Sequence, residues 1–315
     1  MLAQTEFIPS IPLADWTNST VGWITETLEP ITEPLDAVIE VAVGGLASLL
    51  TAPPELVIIA LLAAIAYLLA GWRVALFTVL GLVFIISLGL WGEAMLTLAL
   101  VLASAATALV IGIPIGIIAA KSRRFEAVAM PVLDTMQTMP AFVYLVPVVL
   151  VFSLGDAPAL IATVIFATPP AVRLTVLGIH QVPTETVEAA HAFGATPWQT
   201  LMKVELPLSL MSIMAGVNQV IMLSLSMVVI AVLVGAGGLG ETVYVGLGNL
   251  DVGTSFIGGV GIVILAIILD RITRGFERRE RAGISKILAV RRSSDPAPPD
   301  PLAAGGSTSS GGSGG

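Results

Sequence analysis

From residue 55 onward the chain alternates long apolar runs with short polar breaks. The runs cover roughly 55–71, 74–91, 94–120, 139–154, 158–178, 207–235 and 255–273. Each approaches the ~20 mostly apolar residues that carry a helix across a bilayer. The pattern therefore predicts an all-α, polytopic transmembrane bundle of about seven spans. The sixth run is long for one span. Asn218-Gln219 inside it marks either a break or a polar patch facing a pore. Ahead of these runs, residues 1–36 are polar, broken by proline and acidic, with Glu6, Asp15, Glu26, Glu29, Glu33 and Asp36 and no lysine or arginine. They read as a flexible tail with an interfacial segment around Trp16–Trp23. Residues 37–52 read as a short helix on the membrane surface.

One interruption is too long to be a plain connection. Between the fifth and sixth runs lies Glu188-Ala189-Ala190-His191-Ala192-Phe193-Gly194, closed by Val204-Glu205-Leu206-Pro207. Most connections are shorter. The residues predict helix, sharp turn, helix. Thr184 after Pro183 is a start signal with Thr184 as N-cap. Gly194 ends the first helix by taking positive φ, and Pro197 suits the first position of the next. Ala189, Ala190 and Gly194 let another surface approach the backbone, while Phe193 and Trp198 supply apolar area. The stretch reads as a docking knob.

Charge gives the topology. All 14 basic residues fall on one side under a seven-span arrangement. Arg73, Lys121, Arg123, Arg124, Arg173, Lys203 and the cluster from Arg271 to Arg292 share that side. Glu93, Asp156, Glu241 and Asp251 lie on the other. The positive-inside rule then puts the N-terminus outside, and the knob and C-terminus in the cytoplasm. Composition agrees: 56% hydrophobic, 11% charged and a mean hydropathy of +0.97 suit a membrane protein, not a soluble one. With no cysteine, disulfides and thiol chemistry are excluded. The start lacks a basic n-region before a short apolar core, which argues against a cleaved signal peptide. Gly305–Gly315 reads as a flexible linker or cloning scar.

Enzyme motifs are wanting. Gly235-Ala236-Gly237-Gly238-Leu239-Gly240 fits G-x-G-x-x-G, but a span precedes it where a dinucleotide site needs a strand. It reads as a tight turn leaving the bilayer. Gly112-Ile113-Pro114-Ile115-Gly116 allows close helix contact, either within the chain or at a dimer seam. His180 and His191 stand in no ligand-spaced cluster, so no metal site is expected. Neither a Walker loop nor a nucleophile elbow occurs. Polar and soft residues at membrane depth remain: Gln137, Met139, Phe142 and Tyr144 around the fourth run, and Asn218, Gln219, Met222 and Ser226 in the sixth. Buried amides in lipid must face protein or a water path. No charge sits among them, which favours a neutral or zwitterionic solute. Aromatic faces and methionines hold quaternary ammonium groups by cation–π contact.

The stretch Glu188–Pro207 matches E-A-A-x(3)-G-x(9)-I-x-L-P, with Val204 in place of Ile. It resembles the cytoplasmic loop of permease subunits in bacterial ATP-binding-cassette importers. Gln137–Leu145, Ala215–Gln219, Leu225–Ala231 and Gly259–Arg271 further resemble permeases of the glycine betaine/proline type. The likeness spans roughly residues 90–273 and implies a type I importer permease. It implies two peripheral helices over 55–91 and a core permease domain over 92–274 with its loop at 183–207. These are flanked by an acidic periplasmic tail over 1–54 and a basic, then flexible, cytoplasmic tail over 275–315. It also implies a second copy of the chain, ATPase subunits that bind the ATP and magnesium, and a periplasmic binding protein. No cofactor in this chain, no catalysis by it and no nucleic-acid partner are expected. Glu188, Ala189, Ala190, Phe193, Gly194, Pro197, Trp198, Leu206 and Pro207 are the implied ATPase-coupling residues. An importer permease for an amino acid or a sulfonate is the nearest rival. An ATPase-independent channel or carrier is the more distant one.

Overall fold

The computed structural model describes residues 13–293. The chain divides into two compact units, Met1–Glu277 and Arg278–Gly315. In the second, residues 278–293 are helical. Gly305–Gly315 lies outside the described residues, as do residues 1–12.

The first unit is built of helices: α1 Leu13–Thr51, α2 Glu55–Ala70, α3 Trp72–Ser87, α4 Trp91–Lys121, α5 Arg123–Thr138, α6 Ala141–Phe152 and α7 Asp156–His180. Then come α8 Thr184–Ala192, α9 Pro197–Thr200, α10 Leu206–Ile230, α11 Leu239–Gly248 and the part of α12 (Val252–Ser293) up to Glu277. Five stretches are long and apolar enough to cross a membrane: Glu29–Thr51, Trp91–Lys121, Asp156–His180, Pro197–Val234 and Val252–Phe276. A sixth crossing is available if α5 and α6, bent by 94° at Met139-Pro140, count as one broken span.

At the centre lies α7, the most buried of the candidate spans, with α4 on one side and α10 on the other. Small residues set these distances. A Cβ on Gly112 would meet the Ala171 Cβ at 2.6 Å, and one on Gly116 the Thr175 Cβ at 2.6 Å. On the other side, a Cβ on Gly178 would lie 2.9 Å from the Ser212 Cβ. Close helix approach is how spans gain packing where lipid supplies no hydrophobic drive. The Gly112–Gly116 motif is thus a seam within the chain.

Several sequence expectations change. Of the tail and surface helix expected over 1–52, the described part is one helix from Leu13 to Thr51. Its Pro30 and Pro34 are both exposed and four residues apart, so the carbonyls they leave unbonded share one open face. The runs 55–71 and 74–91 are α2 and α3, of 16 residues each, joined by Gly71 alone at φ +93°. At about 24 Å each, they fall short of a ~30 Å hydrocarbon core. They pack on one another and on α12, where a Cβ on Gly275 would meet Ala70 at 2.4 Å. Between the third and fourth runs lies the amphipathic α5, whose Asp134 pairs with Arg173 of α7. No break occurs at Asn218-Gln219, since α10 runs through it. The irregular turns flank α10 instead, a π-helical turn at Leu201–Glu205 and a 3₁₀ turn at Ala231–Val234. Helix α11 was not expected. Asp251 caps α12 behind it. Its carboxylate accepts from the Thr254 amide at 3.1 Å and hydroxyl at 2.7 Å, and these bonds hold it below the usual carboxylate range.

The Gly235–Gly240 segment is a packed turn. Gly235 and Gly238 take φ +89° and +100°. The Gly155 amide bonds to Val234 O at 2.9 Å. Thr97 of α4 accepts from the buried Leu239 amide at 2.9 Å and donates to Glu93 O at 2.8 Å. Thr97→Val keeps the shape and removes the acceptor, which orphans that amide. The expected cost is about 1–3 kcal/mol, read as a lower unfolding midpoint of the detergent-solubilised protein. An unchanged midpoint would show that the turn does not depend on Thr97.

Candidate functional site

The knob between α7 and α10 is built from local rules. Helix α8 starts at Thr184 with Pro183, not Thr184, in the cap position and no side-chain cap. Its C-terminus closes as a Schellman motif. The Gly194 amide bonds to His191 O at 2.9 Å and the Ala195 amide to Ala190 O at 3.0 Å, with Gly194 at φ +82°. The next turn restarts on a capping box. Thr196 Oγ1 accepts from the Gln199 amide at 3.3 Å, and Gln199 Oε1 accepts from the Thr196 amide at 2.9 Å, with Pro197 at the first helical position.

This scaffold presents its apolar groups outward. Phe193 is 94% exposed and Trp198 65%, and Met202 is also exposed. Glu188, Ala189, Gly194, Pro197 and Pro207 are exposed, with Ala190 and Leu206 half-buried. A Cβ on Gly194 would touch nothing within 4 Å. Two rings thus stand open on the outer surface of the knob.

The knob is mounted on the ends of the core helices. Lys121, the last residue of α4, forms an ion pair with the buried Glu205. The His180 Nε2 lies 3.3 Å from Ala120 O, and its Nδ1 lies 3.9 Å from Glu126 Oε1 of α5. Ser212 Oγ donates to Gln181 Oε1 at 3.3 Å, tying α10 to the end of α7.

The residues proposed to line a solute path fall into two groups on different elements, each packed against α7. At the α5–α6 bend, Gln137 and Met139 are half-buried and Phe142 is exposed. Tyr144 is buried, its ring 6.5 Å from that of Phe166 of α7. On α10, Gln219, Met222 and Ser226 share one face by their spacing, with Gln219 and Ser226 exposed. Asn218 is committed elsewhere, as its Oδ1 accepts from Thr273 Oγ1 of α12 at 2.6 Å. The structure therefore separates a helix-packing amide from an open stripe beside it. Among the described residues, no three histidines or carboxylates gather to hold a metal ion.

The model of the "Binding-protein-dependent transport system inner membrane component" family matches residues 112–282. The chain is 47% identical over 272 residues to the glycine betaine/proline betaine transport system permease protein ProW of Escherichia coli, covering 86% of this chain and 77% of that one. It is 48% identical to the glycine betaine/carnitine transport permease protein GbuB of Listeria monocytogenes, covering 87% and 99%. It is 45% identical to the glycine betaine transport system permease protein OpuAB of Bacillus subtilis, covering 87% and 98%. The chain belongs to this permease family. A chain of the MetNI methionine ABC transporter in an inward-facing conformation is similar in fold, with TM-score 0.52 and 25% identity over 59% of this chain and 92% of that one.

As an importer permease of type I fold, it is a multi-pass inner-membrane protein, and its family is one of transport permeases. The family works with an ATPase and a substrate-binding partner. Sequence reasoning missed Lys121 and Gln199 as parts of the site, and the ion pair that Glu205 makes. The capping box was visible as Thr-x-x-Gln before a helix. The Lys121–Glu205 pair carried no local signal, because its members are 84 positions apart.

Proposed function

We propose that this permease carries betaine-like quaternary ammonium solutes or related zwitterions inward by alternating access, driven by ATP hydrolysed in a separate subunit. The observation that carries the reading is the 45–48% identity to betaine permeases over 86–87% of the chain. A match of that extent necessarily takes in the knob. Two copies of the chain form the solute path, and two ATPase subunits dock on Phe193, Trp198 and their neighbours. Those subunits hold the ATP and magnesium, and this chain holds neither. A periplasmic binding protein delivers the solute. With α2 and α3 as two further crossings and α1 on the periplasmic surface, the N-terminus is periplasmic and the C-terminus cytoplasmic, because the basic residues then gather on one side. ATP binding shifts the equilibrium only through contacts that differ between the two states, and the knob is the element placed to make them.

Absence of cysteine makes the orientation testable with one substitution. The single thiol of Trp198→Cys is expected to react with a membrane-impermeant maleimide in inside-out vesicles and to stay unlabelled in intact spheroplasts. The same chain, reconstituted with ATPase and binding protein, should take up radiolabelled glycine betaine only with ATP. Labelling from the periplasm, or full-rate uptake by the chain alone, would overturn the reading.

A further inference from the structure

Between the exposed α9 and the span α10, the chain does not continue as an α-helix. Leu201–Glu205 is a π-helical turn, with the Leu206 amide bonded to Leu201 O five residues back. Such turns are rare and gather at functional sites. This one has a definite geometric effect. It takes up about one residue more than an α-turn, so α9 is rotated by about 100° from where a continuous α-helix would put it. In this register Trp198, Met202 and Lys203 face outward, while Thr200, Leu201 and Glu205 face in. Among the described residues Glu205 is the one buried carboxylate. It meets Lys121 at the end of α4, whose side chain is 42% exposed.

We propose that Glu205 and Lys121 are a positioning pair that carries movement of the knob into α4, with the π-helical turn as the joint that aims Glu205. The proposal rests on the knob's being the ATPase contact. One general point and two observations favour a joint over a static staple. A fixed contact is served as well by apolar packing as by a buried ion pair. Lys121 is open enough to solvent to follow or release its partner. Pro207 follows two residues after Glu205 and has no N–H to bond Lys203 O, so the turn can change register without losing that α-helical bond.

The test uses the complete transporter, permease with ATPase and binding protein, in proteoliposomes. It reads radiolabelled glycine betaine moved per ATP hydrolysed. Glu205→Gln and Lys121→Met are each expected to lower that ratio about tenfold while hydrolysis continues, a coupling loss of ordinary size. The double variant should be no worse than either single one. The exchanged pair, Lys121→Glu with Glu205→Lys, should regain part of the ratio. Lys121 is half exposed, so its variant tests the pair even where the Glu205 variant does not accumulate. A wild-type ratio in either single variant, additive losses, or uptake and hydrolysis falling together without rescue would overturn the proposal. If the unmodified permease neither binds nor stimulates an ATPase, it is the coupling reading that fails.

Discussion

With leucine in place of Gly194, ATP-driven uptake is expected to fall to background while the chain still inserts and folds. The reasoning starts from the backbone. Gly194 sits at φ +82° and supplies one of the two bonds of the Schellman motif that ends α8. An L-residue there costs roughly 1–2 kcal/mol, which raises the share of unlocked knob about five- to thirtyfold. No internal clash adds to this, since an added Cβ meets nothing within 4 Å. The leucine would instead project into the space that Phe193 and Trp198 leave open to a partner. A second variant acts at the same surface without touching the backbone. Glu188 is exposed and has no ion-pair partner among the described residues, so Glu188→Lys changes only the charge that the knob presents. It should lose uptake in the same way. Uptake in vesicles beside the amount of permease in the membrane fraction checks both. Wild-type transport in both variants would remove the coupling role.

The parts of the fold that were legible in the sequence are those with local causes. The apolar runs became helices because composition alone decides what lipid accepts. Gly194 and Pro197 took their expected places because a positive φ and a missing N–H are properties of single residues. The Gly235–Gly240 turn was readable as a turn, although its anchor was not, because Thr97 lies 142 positions from Leu239. Where the cause is tertiary, the sequence misled. Pro30 and Pro34 looked like breaks, yet both sit on the open side of α1. Asn218 and Gln219 looked like one polar patch, yet Thr273 of α12 takes the first and leaves the second open. The π-helical turn has no signature in Leu201–Glu205 itself. It lies where α10, seated on α7 at Gly178, gives way to the outward-facing α9.

Leucine at Gly116 should do the opposite of leucine at Gly194, destroying the folded protein instead of its coupling. A Cβ on Gly116 would lie 2.6 Å from the Thr175 Cβ and 2.9 Å from Val172 O, and the latter is backbone that no rotamer change can move. One turn away, Gly112 meets Ala171 and Thr168 O in the same way, so α4 cannot tilt about this point to make room. Nor can α7 retreat, because α10 presses on its other side at Gly178 and Gly216. Overpacking costs about 1–3 kcal/mol where neighbours can shift, and more where they cannot. For a core three helices deep with glycine at each seam, about 3 kcal/mol or more is expected. Lipid offers the displaced helices an apolar alternative, so little opposes their separation. The measurement is a pair of melting curves on detergent-solubilised protein, with the yield of monodisperse material. Gly116→Leu should give little folded protein or a much lower midpoint, and Gly194→Leu a midpoint near that of the wild type. If the two variants melted alike, the tight glycine contacts between α4 and α7 would not be what holds this permease together.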